Sequence, residues 1–212
     1  KASQHLLRAG GKRLRPVMVL LVGESLVDDP GLRSSYRDFP DIHGDSFDLM
    51  SAAVSIEIIH LFTLIHDDIM DQDDLRRGVP AVHRAYDMET AILAGDTLYS
   101  KAFEIILETG APSDRLVAVM RRLASTCTEI CEGQALDISY ESRSDVSVDE
   151  YHEMIKYKTA VLYGAAASVP AILIGAPQET IESLYAYGIA VGKAFQIQDD
   201  VLDLTASSET LG

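Results

Sequence analysis

The chain has 212 residues, with 18 basic against 33 acidic side chains and a formal net charge of −15. Its 47% hydrophobic content excludes a disordered chain. The acidic balance excludes general nucleic-acid binding, which needs a basic face. Aromatic residues are only 7%, tryptophan is absent, and alanine, leucine and isoleucine are abundant, which favours helix packing over a β-sandwich. The length suits one domain spanning 1–212, or at most two small ones. No apolar run reaches about 18 residues and no signal-peptide pattern opens the chain, so neither a transmembrane span nor a leader is predicted.

"GGKRLRP" (10–16) groups Lys12, Arg13 and Arg15 and leads into the apolar "RPVMVLLVGESL", where Pro16 suits a helix's first turn. Residues 28–45 are rich in Pro, Gly, Ser and Asp and read as a loop. Asp45 or Ser46 then caps a long helix through "AAVSIEIIHLFTLI" into "HDDIMDQDD" (66–74). "RRGVPAVHRAY" reads as a connector. The next helix runs from about Met88 to Thr109 and stops at Gly110. Ser113 opens another, with Leu116, Val119, Met120 and Leu123 at helical spacing. It also carries Cys127 and Cys131, the only two cysteines, which read as two small buried hydrophobes with the cytoplasm as the default compartment. Ser147 and Glu150 match a capping box. The helix they open carries Lys158 and Thr159, and Pro170 bends or ends it. The last helix spans about Gln178 to Leu204. No sustained period-2 alternation calls for strands, so the expected fold is all-α: a bundle of long, mostly antiparallel helices around a deep central pocket.

"HDDIMDQDD" places five aspartates in a short block at the end of an apolar helix. At about 100° per residue, Asp67 and Asp71 share a face with His60 near it, while Asp68 sits to the side. "FQIQDDVLD" (195–203) repeats the pattern with Asp199, Asp200 and Asp203, and Gln196 lies one turn earlier. One such block is as readily a solvated helix end; two, each interrupting an apolar helix, are not. Carboxylates forced together raise one another's pKa, and a divalent cation relieves that repulsion. Few hard oxygen ligands with room for water suit Mg²⁺, completed by substrate phosphates. An EF-hand starting at Asp71 fails because Arg76 stands where glycine is required. "EIIH" (57–60) matches one element of a di-iron bundle, but no second E-x-x-H exists. The scarce basic residues cluster near the acids: Lys12, Arg13, Arg15, Arg76, Arg77 and Lys158. Arg76 and Arg77 can simply balance Asp73 and Asp74, but arginine also recognises phosphate oxygens bidentately. Acidic blocks with cations beside them describe a polyphosphate site.

Taken in order, "GGKRLRP", "LIHDDIMDQDDLRRGVPAVH", "GD" (95–96), "EGQALD" (132–137), "YKTA", "FQIQDDVLD" and "TLG" resemble the trans-isoprenyl diphosphate synthases over almost the whole chain. The resemblance implies a terpenoid synthase-like helical bundle, a homodimer, and small-molecule isoprenyl diphosphates as its partners. It implies Mg²⁺, three ions per site with substrate bound, held by Asp67, Asp71 and Asp199 and supported by Asp68, Asp200 and Asp203. Arg76, Lys158, Thr159 and Gln196 would contact the allylic diphosphate. Lys12, Arg15, His60 and Arg77 would hold isopentenyl diphosphate. Asp67, Asp71, Asp199 and Lys158 would carry the chemistry, with the proton lost to the released diphosphate. His66 and His83 read as structural.

Phe62, five residues before Asp67, and the smaller Thr63 resemble the pattern of archaeal-type geranylgeranyl diphosphate synthases. Helical geometry alone sets Phe62 roughly 140° from Asp67 and does not make it the pocket floor. Farnesyl or longer products are alternatives, as are a class I terpene cyclase, a non-catalytic subunit of a hetero-oligomeric synthase, and a non-enzymatic cation-binding bundle. "DDVLD" argues against the cyclase, two intact acidic blocks against the non-catalytic subunit, and the basic cluster against the last. The family continues past "LG" with a lysine and further helices, so the sequence reads as a piece of a longer protein.

Overall fold

A computed structural model describes residues 1–27 and 35–205; the "TLG" motif and part of the predicted 28–45 loop lie outside the described residues. The fold is all-α, as composition and periodicity predict. After a 3₁₀ turn (Ala2–Gln4) come α1 (His5–Arg8), α2 (Leu14–Leu26), α3 (Leu49–Met70), α4 (Val82–Ala85) and α5 (Met88–Leu107). They are followed by α6 (Ser113–Tyr140), α7 (Val148–Ile155), a π-helical turn (Lys156–Ala160), α8 (Val161–Ile174) and α9 (Gln178–Thr205).

Every residue of α8 is buried, so it is the central helix against which α2, α6 and α9 pack. α3 packs on α5 and on α2. Both α3 and the run Val148–Ile174 are long and apolar enough to cross a bilayer, but 67% and 89% of their most apolar windows are buried inside the bundle. They are its core helices.

Four local expectations change. Strands do occur: β1 (Phe39–Pro40) pairs antiparallel with β2 (Ser46–Phe47), and β3 (Leu75–Arg76) with β4 (Val79–Pro80). They are too short to show alternation. The first hairpin tucks Phe39 and Phe47 into the core. Ser46 is therefore spoken for, and α3 is capped by Asp48, whose carboxylate accepts the Ser51 N–H at 3.0 Å. Asp45 instead donates its backbone N–H to Asp41, which organises the turn. Pro170 does not end its helix, which continues to Ile174 and closes on Gly175 in the left-handed conformation, φ 85°. Close packing on all sides holds α8 together despite the missing N–H. Finally, α5 stops at Leu107 rather than running to Thr109. The capping box forms as expected, Ser147 Oγ accepting from Glu150 N and Glu150 accepting from Ser147 N.

Backbones approach closely in two places. A Cβ on Gly188 would lie 2.4 Å from the Tyr163 carbonyl oxygen, and one on Gly192 would lie 2.6 Å from Ala160 Cα, so α9 rides directly on α8. A Cβ on Gly133 would lie 2.1 Å from the Lys158 backbone nitrogen, which brings α6 against the π-turn.

Candidate active site

The ends of α3 and α9, the start of α2, the β3–β4 hairpin and the π-turn enclose a cleft of about 820 Å³. Acids, cations and apolar side chains occupy separate parts of its lining.

Asp67, Asp199 and Asp203 line the cleft. Asp71 caps α3 one turn beyond Asp67, exposed, and its carboxyl is raised by partial burial and by the neighbouring Asp67. Asp68 turns inward: it is fully buried and accepts from Arg76 Nε at 2.6 Å. Burial raises its pKa to about 6 in spite of Arg76. Asp200 also faces protein donors, Tyr151 Oη and Gln196 Nε2.

Lys158 Nζ lies 3.2 Å from Asp67 and also bonds Asp137. Burial works against its charge, but the two carboxylates outweigh burial and raise its pKa. The five-residue π-turn carries both Lys158 and Thr159; such turns recur at functional sites. Thr159 Oγ1 donates to Gln196 Oε1 at 2.7 Å, and both residues line the cleft.

The basic wall surrounds His60. Arg15 Nη1 stands 3.2 Å from His60 Nε2 and its guanidinium covers the Tyr163 ring at 4.3 Å. Arg77 donates to the Gly10 carbonyl, and a Cβ on Gly11 would strike its guanidinium. The "GG" of the basic motif is what lets that loop close over Arg77. Arg13 and Arg77 both sit at left-handed φ, 52° and 54°, a strained backbone for non-glycine residues that gathers at functional sites. Arg13 is paired with Glu57 and Arg76 with Asp68 and Asp73. Among the described residues Lys12, Arg15 and Arg77 make no carboxylate ion pair, so this wall has cationic charge to offer an anion. Asp74 pairs with Arg84 at 2.7 Å rather than with Arg77, the partner the sequence suggested.

Burial, then Arg15, Arg77, Arg13 and Arg76, hold His60 well below the ordinary 6.5. Its folded pKa is depressed, so the unfolded chain binds the proton more readily. Stability is therefore complete above about pH 6.5 and drains as pH falls below it. His60→Gln is expected to lose less stability than the wild type between pH 7 and pH 5, read from urea midpoints. Equal losses would contradict this.

The apolar part is lined by Phe62, Thr63, Leu64, Ile130 and Leu162, with Cys131 beside them. Phe62 meets Tyr99 edge-on at 5.1 Å, and Tyr99 meets Phe103 at the same distance. Phe62 thus shares the cleft with Asp67 although ideal helical geometry sets them apart. Cys127 is buried, and burial pushes its thiol up to about 12, but Cys131 is exposed rather than buried.

Among the described residues no three acidic, histidine or cysteine side chains converge as a ready metal cage. The cleft carboxylates come instead from two helices, α3 and α9. That donor set fits a hard divalent cation completed by phosphate oxygens and water. The E-x-x-H is not a metal element here, since Glu57 pairs with Arg13 and His60 with Arg15.

Sequence reading weighed Glu57 only as a di-iron element, quoted Asp137 without a role, and did not single out Tyr151. Asp137 lies in the quoted "EGQALD" motif, one turn past Gly133. Glu57 was signalled by being a lone acid in an apolar run, where a buried charge requires a partner.

The Polyprenyl synthetase family model matches residues 1–212. A geranylfarnesyl diphosphate synthase of Natronomonas pharaonis is 67% identical over all of this chain and 62% of its own length. A geranylgeranyl diphosphate synthase of Methanosarcina mazei is 50% identical over all of this chain and 60% of its own. The solved geranylgeranyl pyrophosphate synthetase of Geoglobus acetivorans superposes with a TM-score of 0.86 at 47% identity, covering 98% of this chain and 63% of that one. The chain thus spans about three fifths of the length of the relatives it matches. With cleft, fold and family model in agreement, the chain belongs to the polyprenyl synthetase family.

Proposed function

We propose that the full-length protein is a chain-elongating prenyltransferase that condenses isopentenyl diphosphate head-to-tail with an allylic diphosphate. One observation carries this reading: a single cleft joins Asp67, Asp199 and Asp203, a basic wall of Lys12, Arg15 and Arg77 and an apolar floor. Two anionic groups and a hydrocarbon chain are what such a cleft accommodates. Mg²⁺ held by Asp67, Asp71, Asp199 and Asp203 would supply neutralisation of the leaving diphosphate.

The chain's own residues do the rest. Lys158, kept charged by Asp67 and Asp137, binds the allylic diphosphate. The guanidinium groups of Arg15 and Arg77, with Lys12, hold isopentenyl diphosphate beside it. The allylic C–O bond breaks, its electron pair leaving with diphosphate. The isopentenyl double bond attacks the allylic cation to form the new C–C bond, and the proton then lost goes to the released diphosphate. The apolar floor keeps water from the cation, and holding both substrates in one cleft supplies orientation. Labelled isopentenyl diphosphate, an allylic primer and Mg²⁺ with the full-length protein should give longer prenyl chains on chromatography. No elongation would defeat the reading.

Phe62 supports geranylgeranyl diphosphate as the product, since its ring lines the cleft above the Tyr99–Phe103 pair. The 67% identical geranylfarnesyl relative favours a second reading, a product one isoprene unit longer. Phe62→Ala is expected to shift the products at least one unit upward; an unchanged length distribution would remove Phe62 as a length determinant.

A further inference from the structure

Asp199 and Asp203 lie on the part of α9 beyond Gly192. Phe195 meets the Tyr163 ring at 5.6 Å, which steadies one side of the helix. The polar tether is at Asp200. Tyr151 Oη, on α7, donates to its Oδ2, and Gln196 Nε2 donates to its Oδ1 at 2.7 Å. Gln196 Oε1 in turn accepts from Thr159 Oγ1 at 2.7 Å. The relay links α7, α9 and the π-turn, and it occupies both oxygens of Asp200.

Asp199 and Asp203 lie one helical turn apart, with Asp200 about 100° round from Asp199. Fixing Asp200 therefore fixes the rotation of the helix end and the direction in which its neighbours point. We propose that Tyr151 is a positioning residue: by donating to Asp200 it fixes the rotation of this part of α9 so that Asp199 and Asp203 stay turned into the cleft. Tyr151 itself does not line the cleft, so it acts through Asp200. Its phenol is raised by burial and by Asp200, which keeps it a donor. The inference rests on the proposed reading of the cleft as a diphosphate site.

The test uses the full-length protein, titrating Mg²⁺ at fixed inorganic diphosphate and reading the thermal midpoint. Tyr151→Phe is expected to raise the half-saturating Mg²⁺ about tenfold, the effect of one hydrogen bond to a charged group. KM for isopentenyl diphosphate should not move. Tyr140→Phe, whose ring lies against Arg143 on the surface, should match the wild type. In an Asp200→Ala background, Tyr151→Phe should add less than a twofold change. If its effect persists undiminished there, Tyr151 acts through general packing and the positioning role is overturned. If the wild type elongates but Tyr151→Phe matches it in Mg²⁺ response, this inference alone fails. If the wild type shows neither Mg²⁺–diphosphate response nor elongation, the reading of the cleft fails and this inference with it.

Discussion

Asp67→Ala and Asp199→Ala are each expected to lower kcat of the full-length protein at least ~1,000-fold, about 4 kcal/mol of transition-state stabilisation. The two residues stand on different helices, α3 and α9, and both line the cleft. Neither is a core residue, so circular dichroism and urea midpoints should change little. Removing Asp67 also releases Lys158 from one of its two carboxylates, leaving Asp137 alone to hold it. Asp73→Ala is the informative contrast: Asp73 pairs with Arg76 in the hairpin and does not line the cleft, so its loss should cost under tenfold. A loss below tenfold for Asp67→Ala or Asp199→Ala in steady-state assays would show that the cleft carboxylates are not where the diphosphate leaves.

Gly133→Ala is expected to destabilise the fold by about 2–3 kcal/mol, the scale of overpacking against atoms that cannot yield. Its new Cβ would lie 2.1 Å from the Lys158 nitrogen and 2.6 Å from the Tyr157 carbonyl carbon, and both are backbone. Relief requires α6 and the π-turn to separate, which carries Lys158 away from Asp67. Activity should therefore fall more than tenfold even at temperatures where the variant stays folded. Gly95→Ala gives the comparison. A Cβ there would meet the tip of the His66 imidazole at 2.2 Å, a side chain that can swing aside. Its cost should be about 1 kcal/mol or less. Equal urea midpoints for the two variants would show that the α6 approach is not the rigid contact described.

Much of this was legible in the sequence where the signal was local. Ser147 and Glu150 three residues apart specify a capping box whatever surrounds them, and the box forms. The repeated acidic spacing put Asp67 and Asp199 on helices that do share one cleft. What escaped was set by tertiary contact. Ser46 reads as a cap until Phe47 beside it finds Phe39 and the chain pairs into a hairpin. Pro170 reads as a bend or a stop until α8 is seen to be buried throughout and to continue to Ile174. The string sets Asp68 to the side of Asp67 and Asp71, but it does not show that Arg76 draws Asp68 wholly inward. Tyr151 is 49 residues from Asp200, and no periodicity connects them.

The glycine contacts between α8 and α9 have a mechanical consequence. At Gly188 against Tyr163 and Gly192 against Ala160, α9 meets α8 and the π-turn through backbone, with little side-chain freedom there to absorb a displacement. The pair behaves as one stiff beam along one wall of the cleft. Any widening that a growing chain demands must then come from the other side: from α3 and the aromatic rings behind it, or from the Gly10–Gly11 loop.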